Sequence, residues 1–291
     1  MIALTYTDII RSMNMNERKY QFESVDDYII NDDLKLTANI AISMHKPLLV
    51  KGEPGTGKTA LAEAVARALD MPLITWSIKS TTKAQDGLYT YDVVRRLYDS
   101  ELGNEGVEDI KRYIRMGKIG EAFTSDEQCV LLIDEIDKAD LEFPNDLLWE
   151  LDRMEFYIPE TDETITAKNP PIVIITSNAE KELPDAFLRR CAFHYIEFPD
   201  THMMRQIVLA HYPDLEDELI EQVLDAFFYV RDYFNLKKKP GTSELLDWIS
   251  ALRLSGIPTD RLRQDLPLAG FLVKKDEDLA AVKQSGFRGL R

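Results

Sequence analysis

KPLLVKGEPGTGKTALAEAVARAL, residues 46–69, passes from an apolar run through a glycine-rich loop into a helical pattern. Within it Gly52, Glu53, Pro54, Gly55, Thr56, Gly57, Lys58 and Thr59 satisfy G-x-x-x-x-G-K-[ST] at every fixed position, the pattern of a phosphate-binding loop. The chemistry needs these residue types. Glycines let backbone N–H groups turn inward around phosphate oxygens, and a helix starting near Lys58 adds the positive end of its dipole. In such a loop Lys58 reaches the β- and γ-phosphates and Thr59 holds Mg²⁺. A Gly/Pro turn could leave the same letters, so the flanks decide. PLLV before the loop reads as a buried strand and ALAEAVARAL after it as an amphipathic helix, the context the motif requires. The expected nucleotide contacts run from Gly52 to Thr59 and on to Ala60.

The rest of the composition bounds the class. With 291 residues, 45% of them hydrophobic, the chain can bury a large core, and its length suggests two domains or one with a substantial appendage. No apolar run approaches the ~20 residues that span a bilayer. The opening MIALTYTDIIRSMNMNERKY has neither a basic start nor a long apolar segment, which predicts a cytoplasmic protein with no membrane insertion. Cys129 and Cys191 sit in strand-like runs without partners at metal-ligand spacing, and read as reduced core residues. Fifty-one acidic residues against thirty-five basic ones give a formal charge of −16. That argues against a nucleic-acid surface, which must neutralise phosphates with clustered Lys and Arg.

Along the chain, short β-branched runs alternate with helical stretches, as in an α/β domain with a parallel sheet. The runs are PLLVK (47–51), LITWSI (73–78), QCVLLI (128–133), PIVIIT (171–176) and FHYIEF (193–198). Two segments interrupt the alternation. Residues 83–123 read as helices joined by a Gly/Asn/Glu-rich loop at 103–106, and EFYIPETDETITAK (155–168) as a hairpin. After Phe198 three helical patterns follow. In the second, Leu215, Leu219, Val223, Phe227 and Val230 recur at helical spacing and define a buried face. The tail VKKDEDLAAVKQSGFRGLR reads as partly helical and carries no motif.

A phosphate loop only binds; hydrolysis needs further groups. CVLLIDEIDKAD places two carboxylates at a strand end, Asp134 on the metal side and Glu135 as the base that polarises a water. In IITSN, Asn178 could set a side-chain amide beside that water, although asparagine at a strand end is equally a turn residue. Arg189 and Arg190 close a short helical stretch after Pro184, where they could also do no more than satisfy its last carbonyls.

Taken in order, GEPGTGKT, LLIDEID, IITSN and LPDAFLRR, with a helical region following, resemble the AAA+ ATPases. KADLEFPNDLLWELDRMEFYIPET and FLRRCAFHYIEFP are most similar to their MoxR branch, and the likeness runs over about residues 25–255. It implies a P-loop AAA+ core of α/β class with a five-stranded parallel sheet, in core order 5-1-4-3-2, and a small helical lid. The corresponding division is an N-terminal extension at 1–24, a nucleotide-binding core at 25–199 and a lid at 200–291. Asn178 then matches the sensor-1 position. Arg190, with Arg189 as second candidate, falls where the family keeps an arginine finger donated to the ATP of the neighbouring subunit. That role implies a ring, usually a hexamer. Residues 155–168 match the pre-sensor-1 insertion, 83–123 overlap the helix-2 insertion, and Tyr28, Ile29 and Ile30 fall near the adenine. One position departs from the pattern. Where many relatives carry a sensor-2 arginine, this chain has Ser243, Glu244 and Leu245, leaving Arg253 as an alternative cation; Lys237 to Lys239 lie too close to the turn to replace it.

The resulting expectation is an ATP-hydrolysing, Mg²⁺-dependent ring of MoxR type that remodels a protein client, with a von Willebrand factor A domain protein as the implied partner. The acidic surface suits a protein partner better than DNA. A nucleic-acid motor or restriction-type NTPase subunit is the alternative, with KRYIRMGK (111–118) as its one locally basic stretch. A small-molecule phosphotransferase is a third reading, disfavoured because Glu135, Asn178 and Arg190 suit water as acceptor.

Overall fold

The five apolar runs are the strands of one parallel sheet in a computed structural model, which describes residues 22, 28–257, 262 and 266–285. They are β1 (Leu48–Gly52), β2 (Leu73–Ser77), β5 (Val130–Asp134), β8 (Ile172–Ser177) and β9 (Ala192–Ile196). Their spatial order is β2-β5-β8-β1-β9, which in core numbering is the expected 5-1-4-3-2. Every neighbouring pair is parallel. Burial follows the order: β8, near the middle, is buried at all six positions, whereas β2 at one edge buries only Trp76 fully. Continuous Val/Ile/Leu runs are what a sheet covered on both faces demands.

Two compact units divide the described chain. The first comprises residues 30–52 and 58–196 with Phe22; the second comprises 28–29, 53–57 and everything described from Glu197 onward. The tip of the glycine-rich loop therefore groups with the second unit, while Lys58 and the helix it opens group with the first.

In the first unit, α1 (Asp32–Ser43) begins at Asn31, whose side chain accepts from the Leu34 N–H. α2 (Lys58–Ala68) follows the loop and buries Leu61, Ala62, Ala64, Val65 and Ala66, the alanines letting it lie close on the sheet. Residues 83–123 hold more than helices. α3 (Ala84–Leu88), α4 (Val93–Glu101) and α5 (Lys118–Thr124) are joined by a two-stranded antiparallel ribbon of β3 (Tyr89–Tyr91) and β4 (Ile114–Met116). Three-residue strands leave too short an alternation to read against helical neighbours. Residues 143–153 form α6 (Phe143–Asp146) and α7 (Leu148–Arg153), and the expected hairpin is β6 (Glu155–Ile158) paired with β7 (Glu163–Thr166). Cys129 is buried and Cys191 half-buried, both as free thiols, and burial pushes them up to about 11 and about 12.

His194 on β9 is buried, with its Nδ1 3.6 Å from the exposed Asp33 carboxylate of α1. Burial lowers its pKa, and Asp33 only partly opposes this. A histidine held neutral in the fold binds its proton more readily when unfolded, so its contribution is present above about pH 6.5 and is lost as pH falls towards the depressed native value. Urea unfolding at about pH 7.5 and about pH 5.5 should show wild type losing more stability on acidification than His194→Leu.

The second unit is helical: α9 (Thr201–His211), α10 (Asp217–Tyr233), α11 (Thr242–Ser255) and α12 (Asp276–Ser285), with α8 (Asp185–Leu188) belonging to the first unit. Its core gathers Val223, Phe227 and Val230 of α10 around Trp248, whose Nε1 donates to the Pro267 carbonyl at 2.8 Å. Leu215 and Leu219 pack at its margin, and Leu215 precedes the helix. α12 lies in the tail, where Asp278 is buried and accepts from the Lys237 and Lys238 amides. The N-terminal extension, except Phe22, lies outside the described residues.

Candidate functional site

At the carboxyl ends of the central strands the first unit brings together groups 75 and 43 residues apart in sequence. Parallel α/β sheets place ligands here because their strands all end on one side. The loop from Gly52 to Lys58 leaves β1 and opens α2. Gly55 and Gly57 have φ of +80° and +84°, values that side-chain-bearing residues rarely adopt. Lys58 is buried and its Nζ donates to the Gly52 carbonyl at 3.0 Å, which stations the ammonium over the start of the loop. Thr56 is buried and its hydroxyl donates to the Glu53 carbonyl at 2.9 Å. Ala60 lies in the first turn of α2.

Thr59 Oγ1, in that same turn, donates to Asp134 Oδ1 at 3.0 Å. The same carboxylate oxygen accepts from Thr176 Oγ1 at 2.7 Å, and Thr176 Oγ1 accepts from the Glu135 amide at 2.8 Å. Thr176 thus couples β5 to β8 and fixes the backbone on which Glu135 turns. Glu135 needs this support, for it lies in the left-handed region at φ 59° and ψ 50°, a conformation that costs a non-glycine residue about 1–2 kcal/mol.

Two side chains then fasten the Glu135 carboxylate. Asn178 Nδ2 donates to Glu135 Oε1 at 3.0 Å, and Lys138 Nζ pairs with Oε2. The bond to Glu135 raises the Lys138 pKa. Asp137, itself buried, accepts from the backbone N–H groups of Asn178 (3.3 Å) and Glu180 (2.9 Å), so it anchors the loop that carries the amide.

Arg189 and Arg190 follow α8, and both are exposed. Arg190 Nε pairs with Asp152 of α7, and its Nη1 donates to the Ala186 carbonyl at 2.9 Å. In this chain Arg190 is therefore held on the surface, and the pairing leaves it 44% exposed.

Of the site residues named from the sequence, those of the first unit gather around the ends of β1, β5 and β8, with the arginines apart on the surface, while Glu53–Gly57 group with the second unit. Three contributors were missed. Thr176 was visible as the first hydroxyl at the end of an otherwise aliphatic run, and Asp137 as the third carboxylate of DEID. Lys138 carried no signal beyond its neighbourhood. Of the cations considered for the lid, three are engaged within the second unit: Lys237 with Glu277, Lys238 with Glu244, and Arg253 with Asp214 at 2.6 Å.

Within the first unit, a buried lysine at a helix start and a hydroxyl–carboxylate pair could hold phosphate oxygens and a divalent cation. The oxygens of Thr59 and Asp134 are the hard donors that Mg²⁺ prefers. No helix among the described residues is long and apolar enough to cross a membrane.

Comparison with known proteins gives three similarities. Midasin of Dictyostelium discoideum is 27% identical over 191 residues, which is 63% of this chain but only 3% of that protein's length. A crystal structure of a candidate ATPase from Cytophaga hutchinsonii superposes with a TM-score of 0.49 at 17% identity, covering 74% of this chain and 69% of the other. Residues 48–199, from the first residue of β1 to just beyond β9, match the model of the ATPase family associated with various cellular activities (AAA), and the chain belongs to that nucleotide-binding family.

Proposed function

We propose that this chain hydrolyses ATP as a subunit of a MoxR-type ring that remodels or activates a protein client, together with a von Willebrand factor A domain partner. The observation that carries the hydrolytic part is the fastening of Glu135 between Asn178 and Lys138, beside the Thr59–Asp134 pair. A base must be positioned before its proton affinity matters. Glu135 takes the proton of the attacking water, and Asn178 orients that water. Lys58 and the loop amides from Gly52 to Ala60 bind the phosphates, while Thr59 and Asp134 hold Mg²⁺. Bound there, Mg²⁺ supplies charge neutralisation at the transferring phosphoryl group. Arg190, released from Asp152, reaches the nucleotide of the adjoining subunit; Arg189 is the second candidate. That arrangement requires an oligomer, and the hexamer is the expected one.

For the protein client, support comes from surface composition. α4 has no buried residue, and Val94, Leu97 and Tyr98 are all more than three-fifths exposed, an apolar display that marks interaction surfaces. The nucleic-acid alternative depends on residues 111–118, and their cations are already engaged. Lys111 pairs with Glu163, Lys118 with Glu121, and Arg115 lies 3.7 Å from Asp92, while Arg112 donates to the Glu105 carbonyl.

The test is capture from a lysate of the source cell, with Glu135→Gln held in ATP and Mg²⁺ as bait, followed by mass spectrometry. Recovery of a von Willebrand factor A domain protein is expected. Recovery of nuclease-sensitive nucleic acid with its enzymes would instead establish the motor.

A further inference from the structure

Arg231, in the last two turns of α10, is a buried cation that none of the roles above uses. Its guanidinium carbon lies over the Phe198 ring, 3.4 Å from the centroid. Nη1 donates to the Pro240 carbonyl at 2.8 Å, and Nη2 pairs with the carboxylate of Glu53. Glu53 opens the variable part of the glycine-rich loop, and Glu53–Gly57 belong to the same compact unit as Arg231. Only a planar, multiply donating cation can stack and bond in two directions at once.

The two groups that Arg231 bridges flank a backbone contact. A Cβ placed on Gly55 would meet Gly241 Cα and Thr242 N at 3.2 Å. One placed on Gly241 would meet the Pro54 carbonyl at 3.0 Å and Gly55 Cα at 3.3 Å. The phosphate loop is thus pressed against the turn that opens α11 with no room for a side chain. Arg231 ties that turn, through Pro240, to the loop, through Glu53. It also balances the one negative charge carried within a loop built to receive anions, which would otherwise oppose an incoming polyphosphate.

We infer that Arg231 is a positioning residue for the phosphate loop, acting through Glu53 to hold the loop backbone and to neutralise its carboxylate, so that it sets nucleotide affinity. This rests on the nucleotide-binding reading above. Its geometry makes the effect of Arg231 conditional on Glu53, which an ordinary packing role would not.

The test is a double-mutant cycle on the full chain, reading the Kd of N-methylanthraniloyl-ADP by fluorescence beside a thermal unfolding scan. Arg231→Gln should weaken binding about tenfold and Glu53→Gln about threefold, the scale of a charge-assisted hydrogen bond. The double variant should fall back towards the threefold of Glu53→Gln, because without the carboxylate Arg231 has little left to act on, and well short of the product of about thirtyfold expected for independent sites. In ATP turnover the loss should lie in KM, with kcat largely kept. If Arg231→Gln does not fold, Arg231→Lys takes its place, keeping the charge while losing one of the two bonds. Wild-type affinity in the single variants, or effects that multiply in the double, would overturn the assignment. A wild-type chain that binds no nucleotide would instead remove the reading on which it stands.

Discussion

Glu135→Gln should bind ATP as tightly as wild type and release phosphate about 10²–10⁴-fold more slowly, the range that general-base removal spans. The substitution preserves shape and the capacity to accept from Asn178 Nδ2, so the strand-end turn at φ 59° is retained. It removes the negative charge that Lys138 pairs with and the basicity that a water needs. Because the residue touches neither the glycine-rich loop nor Lys58 among the contacts described, affinity should be unaffected. Nucleotide binding by fluorescence and phosphate release under saturating ATP separate the two effects. A variant that turns over ATP at the wild-type rate would remove Glu135 from the role of base.

Arg190→Ala should lower turnover of assembled protein by about 10³-fold or more, the scale on which a finger arginine acts. Its geometry makes this effect distinctive. Arg190 is a surface cation tied to Asp152 and to its own helix, so its removal costs the protomer little more than a surface salt bridge, about 0–1 kcal/mol. The protein should therefore unfold at nearly the wild-type temperature, and nucleotide affinity measured at a concentration that keeps the chain monomeric should be unchanged. Mixing should reveal the action in trans. Subunits carrying Arg190→Ala and subunits carrying Glu135→Gln, each inactive alone, should recover part of the activity when assembled together. Equal hydrolysis by wild type and Arg190→Ala would show that Arg190 does not act as the finger.

Much of the α/β core was legible because its signals are dense and local. The central strands β5 and β8 are almost unbroken aliphatic runs, and a run that reaches both faces of a covered sheet needs no alternation to be read. The glycine-rich loop carries its own chemistry in its letters, and Asp134-Glu135 stand at the end of a strand whose direction is set by the parallel fold. Reading failed where the signal was short or depended on distant partners. Tyr89–Tyr91 and Ile114–Met116 pair across more than twenty residues, and three residues each cannot show a period of two. Thr176 holds the Glu135 amide only because β8 lies beside β5, a fact of topology rather than composition. Leu215 fits the helical spacing of α10 yet lies before its start, since apolar periodicity continues through a turn that the backbone does not. Arg231 was unreadable for a further reason. Its partners, Glu53 and Pro240, are 178 and 9 residues away, and nothing in DAFFYVRDYF separates an arginine that stacks inward from one that faces water.

Phosphate release from ATP by the purified wild-type chain, with Mg²⁺ present and then chelated, tests the central claim most directly. The geometry of Thr59, Asp134, Glu135 and Asn178 predicts steady release to water with no metabolite and no nucleic acid added, abolished by chelation and restored by returning Mg²⁺. Bound nucleotide that is never cleaved, or cleavage that occurs only when a small-molecule acceptor is supplied, would contradict it.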